Sequence, residues 1–352
     1  MRARSVHCWT LRPVVRVDGW DPDRDPGRFA DAFGHAIVEL VVRLRRRGRV
    51  VTIGPVVPPR TDVVVVLLEE LVSYDGHVRP AAVSRLARDA FRRPVVVVRA
   101  DVPLGVVPPA FVRTQVMPNR TAIVDGRAQR WVPLLPQRGL VPRDPGRGHT
   151  IHTLTCKGFE FNVPAELRAQ RFLDAIAGCG VHFALDGDPA TWPDFRHTDV
   201  ALCVRRHNDA WDDRRHLRKP ATKLVNAWVA GAIPLVAPQA AYLELVRPGE
   251  DALVVEGPDG IIAAMLRLRG DRVLVRRLQA GGAERAREFS VDCVLDAWEE
   301  LLDGDLERAP VTTTTAAVVT YGARAGARRA RRQAGVLVGK VQEPSRISAR
   351  GR

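Results

Sequence analysis

The chain has 352 residues, of which 46% are hydrophobic and 27% charged, so it holds the material for two globular domains with full cores. Its five cysteines (Cys8, Cys156, Cys179, Cys203 and Cys293) are scattered without a CxxC pair, which argues against a disulfide framework or a zinc site and fits a reduced cytoplasm. The net charge is +14, but residues 321–352 carry +8 of it, so the basic character belongs mainly to the tail.

The opening MRARSVHCWTL lacks the apolar stretch of a signal peptide, and no run approaches the ~18 apolar residues of a membrane span. SVHCWTL (5–11) is the first expected strand. A polar loop follows. Phe29, Phe33, Ala36, Ile37, Leu40, Val41 and Leu44 then recur at helical spacing. Arg45, Arg46, Arg47 and Gly48 are stop signals for that helix, and RVVTIG begins a strand at once. DVVVVLL (62–68) reads as a buried strand, PAAVSRLARDAF (80–91) as a helix and PVVVVRA (94–100) as another strand. The Pro- and Gly-rich stretch from about 102 to 148 is too irregular for a repeating unit. It reads as late first-domain structure plus a linker.

A second series begins near Thr150. HTIHTLTCKG is strand then turn, PAELRAQRFLDAIAGCG a helix ending in glycine, and VHFALDG a strand. Another strand lies in DFRHTDVALCVRR, and helical sequence closes the series. Strands alternating with helices imply an α/β protein: two Rossmann-like domains facing a cleft, with a helical C-terminus. The expected boundaries are 1–148, 149–308, and a linker with basic tail over 309–352.

The stretch RKPATKLVNAWVAGAIPLV (218–236) carries the chemistry. Pro220 suits a first helical turn, and Gly231 ends the helix before a strand. The helix entrance offers free backbone N–H groups, the Thr222 hydroxyl and the charges of Arg218, Lys219 and Lys223. Cations at the positive end of a helix dipole are unfavourable unless an anion compensates them. A diphosphate is such an anion. The alternative is a solvated basic helix start.

These residues resemble the donor-binding motif of nucleotide-sugar glycosyltransferases with the GT-B fold. The matching positions are Lys219-Pro220, Lys223-Leu224, Asn226-Ala227, Ala230-Gly231, Pro234 and Glu244. RPGEDALVV and REFSVDCVLDAWEELL extend the likeness over about 150–303. The first half is similar only in its general pattern. The resemblance implies a nucleoside-diphosphate sugar as donor, no cofactor or metal, and a hydroxyl acceptor (a glycan, a lipid-linked compound or a small molecule) on the first domain. It also implies a diphosphate contact for Lys157, after the first strand of the second series. Many retaining members carry two glutamates on this helix. Here the positions are Arg218 and Asn226, so the Asn226 amide or Glu244 is left to bond a ribose. The motif is also similar to fucosyltransferase-like and exostosin-like donor domains, which invert, so the stereochemistry stays open.

A general base is expected in a loop at the cleft. Asp18 and Asp21 follow the first strand, beside Trp20. Asp75 and His77 follow the third and rank equal with them. Each has a bland alternative as a solvated loop residue, and His35 reads as a core or edge histidine. Asp186-Gly187-Asp188 reads as a turn, not a metal motif. The tail mixes Arg with small residues, which suits a solvated end or peripheral contact with anionic lipid. It lacks the aromatics of a single-strand nucleic-acid binder. The sequence thus points to a glycosyltransferase. Its rivals are a sugar-nucleotide epimerase or hydrolase on the same fold, and a protein that binds a nucleotide sugar without turnover.

Overall fold

The computed structural model describes residues 3–13, 17–29, 31, 33–73, 77–100, 106–205 and 219–306. Asp75, Arg218 and the tail from 307 therefore lie outside the described residues.

The first lobe is a six-stranded parallel sheet. Its strands are β1 (Val6–Trp9), β2 (Val51–Gly54), β3 (Val63–Leu67), β4 (Val95–Val98), β5 (Thr114–Met117) and β6 (Gln129–Trp131), in the order β2-β1-β3-β4-β5-β6. An unbroken apolar run such as VVVVL is what a strand covered on both faces requires. Val63, Val65 and Leu67 enter one core, and Val64 and Val66 enter another on the opposite face. A π-helical turn (Gly34–Val38) leading into α1 (Glu39–Arg46) builds the first of these cores. The short α2 (Leu68–Leu71) and α3 (Pro80–Asp89) build the second.

The second lobe is a five-stranded parallel sheet in the order β11-β10-β9-β7-β8. Its elements are β7 (Thr153–Lys157), α4 (Gln170–Gly178), β8 (His182–Asp186), β9 (Val200–Cys203), α5 (Thr222–Val229), β10 (Ile233–Val236), the short α6 (Ala240–Leu243), β11 (Leu253–Val254) and α7 (Gly257–Gly270). On β9, Val200 and Leu202 face one core while Ala201 and Cys203 face the other. The helix α8 (Arg272–Glu288) packs closely on α5. Gly282 lets it approach, since a β-carbon there would stand 3.2 Å from the Trp228 ring.

Two features depart from the sequence reading. The stretch 102–148 contains β5 and β6, which extend the first sheet. TQVM and QRW are too short and too poor in β-branched residues to announce themselves as strands. The last helix among the described residues, α9 (Val291–Asp303), is expected from the sequence in the second domain. It packs instead on the first lobe, with Val294, Leu295, Trp298 and Leu302 in that lobe's core. Arg47 holds it through Asp292 and Glu299, and Arg49 through Asp303. Among the described residues, no helix is long and apolar enough to cross a membrane.

Candidate anion-binding cleft

In an open parallel sheet the crevice for a ligand lies beyond the carboxyl ends of the strands, where the strand order reverses. In the second lobe that point falls between β7 and β9. A cavity of about 330 Å³ opens there. Lys157 and Gly158 at the end of β7, Cys203 and Arg205 at the end of β9, and Lys219, Thr222 and Lys223 at the start of α5 all line it. Three aromatic rings, Phe159, Trp192 and Phe195, form a further wall, with Phe159 and Trp192 meeting edge to face at 4.9 Å.

The cations are not equivalent. Lys157 donates to Asp186 Oδ2 at 2.7 Å, so its charge is already met by a carboxylate. Lys223 donates to the Val204 carbonyl at 3.1 Å. Burial pulls its pKa below the ordinary lysine value, and the nearby Arg205 charge acts in the same direction. Arg205 donates through Nη2 to the Pro220 carbonyl at 2.8 Å, while its Nη1 is buried with no hydrogen-bond partner. Among the described residues neither Lys223 nor Arg205 has a carboxylate partner. Two neighbouring cations enclosed without a counter-ion are costly unless a ligand supplies one. Behind them, Gln239 Oε1 and the Tyr242 hydroxyl are also buried and unpaired. The N-cap residue of α5, Ala221, makes no side-chain cap, and Thr222 and Lys223 of its first turn line the same space. Burial pushes the Cys203 thiol up to about 12, so it offers no thiolate here.

Gly158 is fitted to this arrangement. Its φ of +143° lies in a region that favours glycine, and a β-carbon there would stand 3.0 Å from Lys223 Nζ. Gly158→Ala should strain the turn and displace the Lys223 ammonium. We expect at least a tenfold weaker nucleoside-diphosphate affinity by calorimetry; an unchanged affinity would show that Lys223 does not contact the anion.

The other expected site residues have partners of their own or lie outside the lining of this cavity. Asn226 lines the cavity, but its side chain closes a pair of hydrogen bonds with Gln137, accepting from the backbone N–H and donating to Oε1, each at 2.9 Å. It joins the connector to α5 rather than standing open to a ribose. Glu244 accepts from the Arg120 and Thr121 amides at 3.0 and 2.7 Å and from the Thr121 hydroxyl at 2.9 Å. Its carboxylate bridges the lobes, outside the lining of the cavity. Asp18 pairs with Arg45, and Asp21 with Arg46. Both arginines lie in the last turn of α1, and Arg45 also donates to the Val51 carbonyl at the start of β2. The loop is therefore drawn to the amino edge of the sheet, away from the cleft. The Asp23 amide and Arg46 hold the Asp21 carboxyl below the usual range. His77 is exposed in a turn closed by Ser73 and does not line the cavity. Asp186 and Asp188 belong to a turn in which Asp186 binds Lys157 and the Thr191 hydroxyl. Among the described residues, no group of three or more His, Cys, Asp or Glu side chains is placed to hold a metal ion.

A second cavity of about 180 Å³ lies at the carboxyl ends of β4 and β5 in the first lobe. It shares Pro220 and Thr222 with the first, so the two meet at the entrance of α5. His35, in the π-helical turn, lines it. His35 Nδ1 lies 2.8 Å from Arg138 Nη1 and 3.2 Å from Glu39 Oε2. Both contacts are made by Nδ1, so Nε2 is the ring nitrogen that they leave open. Arg205 and His35 were not singled out in the sequence as functional. The signal for Arg205 was a cation placed straight after a buried strand. For His35 it was Glu39, a carboxylate on an otherwise apolar helix face four residues later.

Fold and site together define a two-lobed α/β protein with a crevice at the switch point of its second sheet, where Lys223 and Arg205 have no carboxylate partner among the described residues. No protein-family model matches the sequence, and no curated protein matches it. Solved structures of similar arrangement include Anabaena HepE with UDP (13% identity, 85% of this chain and 99% of that one, TM-score 0.48). Another is the glycotransferase of kitacinnamycin (14%, 86% and 100%, TM-score 0.46). A third is S. aureus TarM with UDP (8%, 69% of this chain and 55% of that one, TM-score 0.45). The match thus spans about half of the TarM chain.

Proposed function

We propose that the protein is a glycosyltransferase of GT-B architecture that moves a sugar from a nucleoside-diphosphate donor to an acceptor hydroxyl. The observation that carries this reading is the pair Lys223 and Arg205, enclosed at the start of α5 without a carboxylate partner among the described residues. A diphosphate seated there would supply the missing counter-charge and meet the helix dipole. The acceptor oxygen bonds to the anomeric carbon as the bond to the β-phosphate oxygen breaks. The bonding pair leaves with the diphosphate, and the acceptor proton is released. Cations already fixed where that charge develops stabilise the departing group, and this proposal gives that role to the chain's own side chains. The aromatic wall of Phe159, Trp192 and Phe195 suits the nucleobase face.

The test is a thermal-shift screen against UDP, GDP, ADP and dTDP. A ligand at a hundred times its dissociation constant adds about 2.7 kcal/mol to stability. One nucleoside diphosphate should raise the melting temperature by several degrees, and its sugar should then be consumed only when an acceptor is present. No shift with any of the four would overturn the donor site. Consumption without an acceptor would favour a hydrolase, and binding without turnover across an acceptor panel would favour a non-catalytic binder.

A further inference from the structure

We infer that the second cavity holds the acceptor, and that this acceptor is a hydrophobic alcohol or phenol rather than a saccharide. The inference rests on the donor reading above and deepens it. The cavity meets the cationic crevice at Pro220 and Thr222, so a hydroxyl at that seam faces the donor's reacting end. Its walls are apolar: Leu40 from α1, Val116 and Met117 from β5, Val132 and Leu135 beyond β6, and Trp298 from α9. Among the described residues, its polar lining side chains are Arg99, His35 and Thr222, and the first two have partners in the protein. Arg99 turns its guanidinium to the Val106 carbonyl and to Gln115 Oε1. His35 is held through Nδ1 by Arg138 and Glu39, and its Nε2 has no partner among the described residues.

That is the pattern of a site with one polar handle and an apolar body. A hydroxyl, which can donate or accept, bonds His35 Nε2 or Thr222, and a hydrocarbon or aromatic ring fills the rest. A sugar ring carries hydroxyls on most of its carbons. Enclosed by these walls, several of them would lose water and find no partner, which strongly disfavours binding. The volume of about 180 Å³ falls below the ~300 Å³ at which drug-sized sites begin, so the enclosed part is a small ring system or a short chain.

The experiment titrates the full-length protein with 2-naphthol, glucose and maltose, and with the nucleoside diphosphate that shifts it, by calorimetry. The same titrations are run on Ala100→Trp and Leu134→Asn. Ala100 and Leu134 line this cavity and not the cationic one. We expect 2-naphthol to bind at least tenfold more tightly than either saccharide. Its affinity should fall at least tenfold in one or both variants, while their nucleotide affinity stays within twofold, which also reports that they fold. Tighter saccharide binding, or 2-naphthol affinity unchanged in both variants, would overturn the inference. If 2-naphthol binds and responds to the variants but no nucleoside diphosphate binds, the donor reading has failed, and the acceptor assignment falls with it. If nucleotide binds and 2-naphthol does not, only the acceptor class is wrong.

Discussion

Lys223→Met should make the free protein more stable and abolish its response to nucleoside diphosphate. Methionine keeps the length of the side chain and removes an enclosed charge whose hydrogen-bond partner among the described residues is the Val204 carbonyl, beside the like charge of Arg205. Replacing an enclosed ion by an apolar side chain of similar volume yields about 1–2 kcal/mol, within the range known for such exchanges. At about 2–4 °C per kcal/mol for a chain of this size, the melting temperature rises by a few degrees. The rise with added nucleotide should vanish. An ordinary structural lysine would show the reverse: a lower melting temperature and an intact ligand shift. The pH profile supplies a second check. A lysine whose folded pKa lies below its unfolded 10.5 leaves the unfolded chain binding more protons between the two values. The free parent protein should therefore gain stability as pH rises through that window, and the variant should lack this limb.

Asp199→Asn should be among the most destabilising single substitutions in the chain. Asp199 is fully buried just ahead of β9. It accepts from Arg143 Nε at 2.9 Å, from Arg147 Nε and Nη2 at 2.7 Å each, and from the His152 and Thr153 amides at 2.8 and 3.0 Å. These bonds hold its pKa down to about 2 against the cost of burial. An asparagine turns one acceptor into a donor facing an arginine and leaves the buried Arg143 without its charge partner. Breaking such a pair costs about 3–5 kcal/mol, or roughly 10 °C here. The lowered pKa fixes the sign with pH. Asp199 contributes its full stabilisation above the ordinary carboxyl value of 3.8 and loses it as pH falls to about 2. The amount at stake in that window is ~2 kcal/mol. Urea midpoints at neutral pH and at pH 3 would show it, with the difference between parent and variant shrinking in acid. The nucleotide affinity should persist where the variant is folded, because Asp199 sits at the opposite end of β9 from the crevice. A midpoint equal to the parent's would refute the account.

What the sequence made legible was whatever local physics writes into a few adjacent residues. The buried strands were legible because two covered faces demand an unbroken apolar run, as in β3 and β4. The helix at α5 was legible because Gly231 stops it and its cations stand at the wrong end of a dipole; Pro220, expected in the first turn, stands instead one residue ahead of the N-cap Ala221. Lys219, Thr222 and Lys223 do line the crevice. What was not legible was the set of partners that lie far away in the chain. Asp18 and Asp21 follow a strand whose carboxyl end faces the cleft, but Arg45 and Arg46 pull their loop to the other edge. Asn226 and Glu244 have the chemistry to hold a ribose, but Gln137, Arg120 and Thr121 engage them. An amphipathic helix such as α9 announces that it will be buried, not against which core.

The placement of α9 also bears on how the chain assembles. The first lobe's core contains Val6 and Leu40 from one end of the described chain and Trp298 and Leu302 from the other. Contacts of such sequence separation are late and slow to form. Synthesis proceeds at ~5–20 residues per second, so roughly ten to thirty seconds separate the emergence of β6 from that of α9. For that interval the first sheet exists with one flank of its core uncovered. The lobe made first is thus completed late, and the nascent chain holds an exposed apolar face until α9 arrives to cover it.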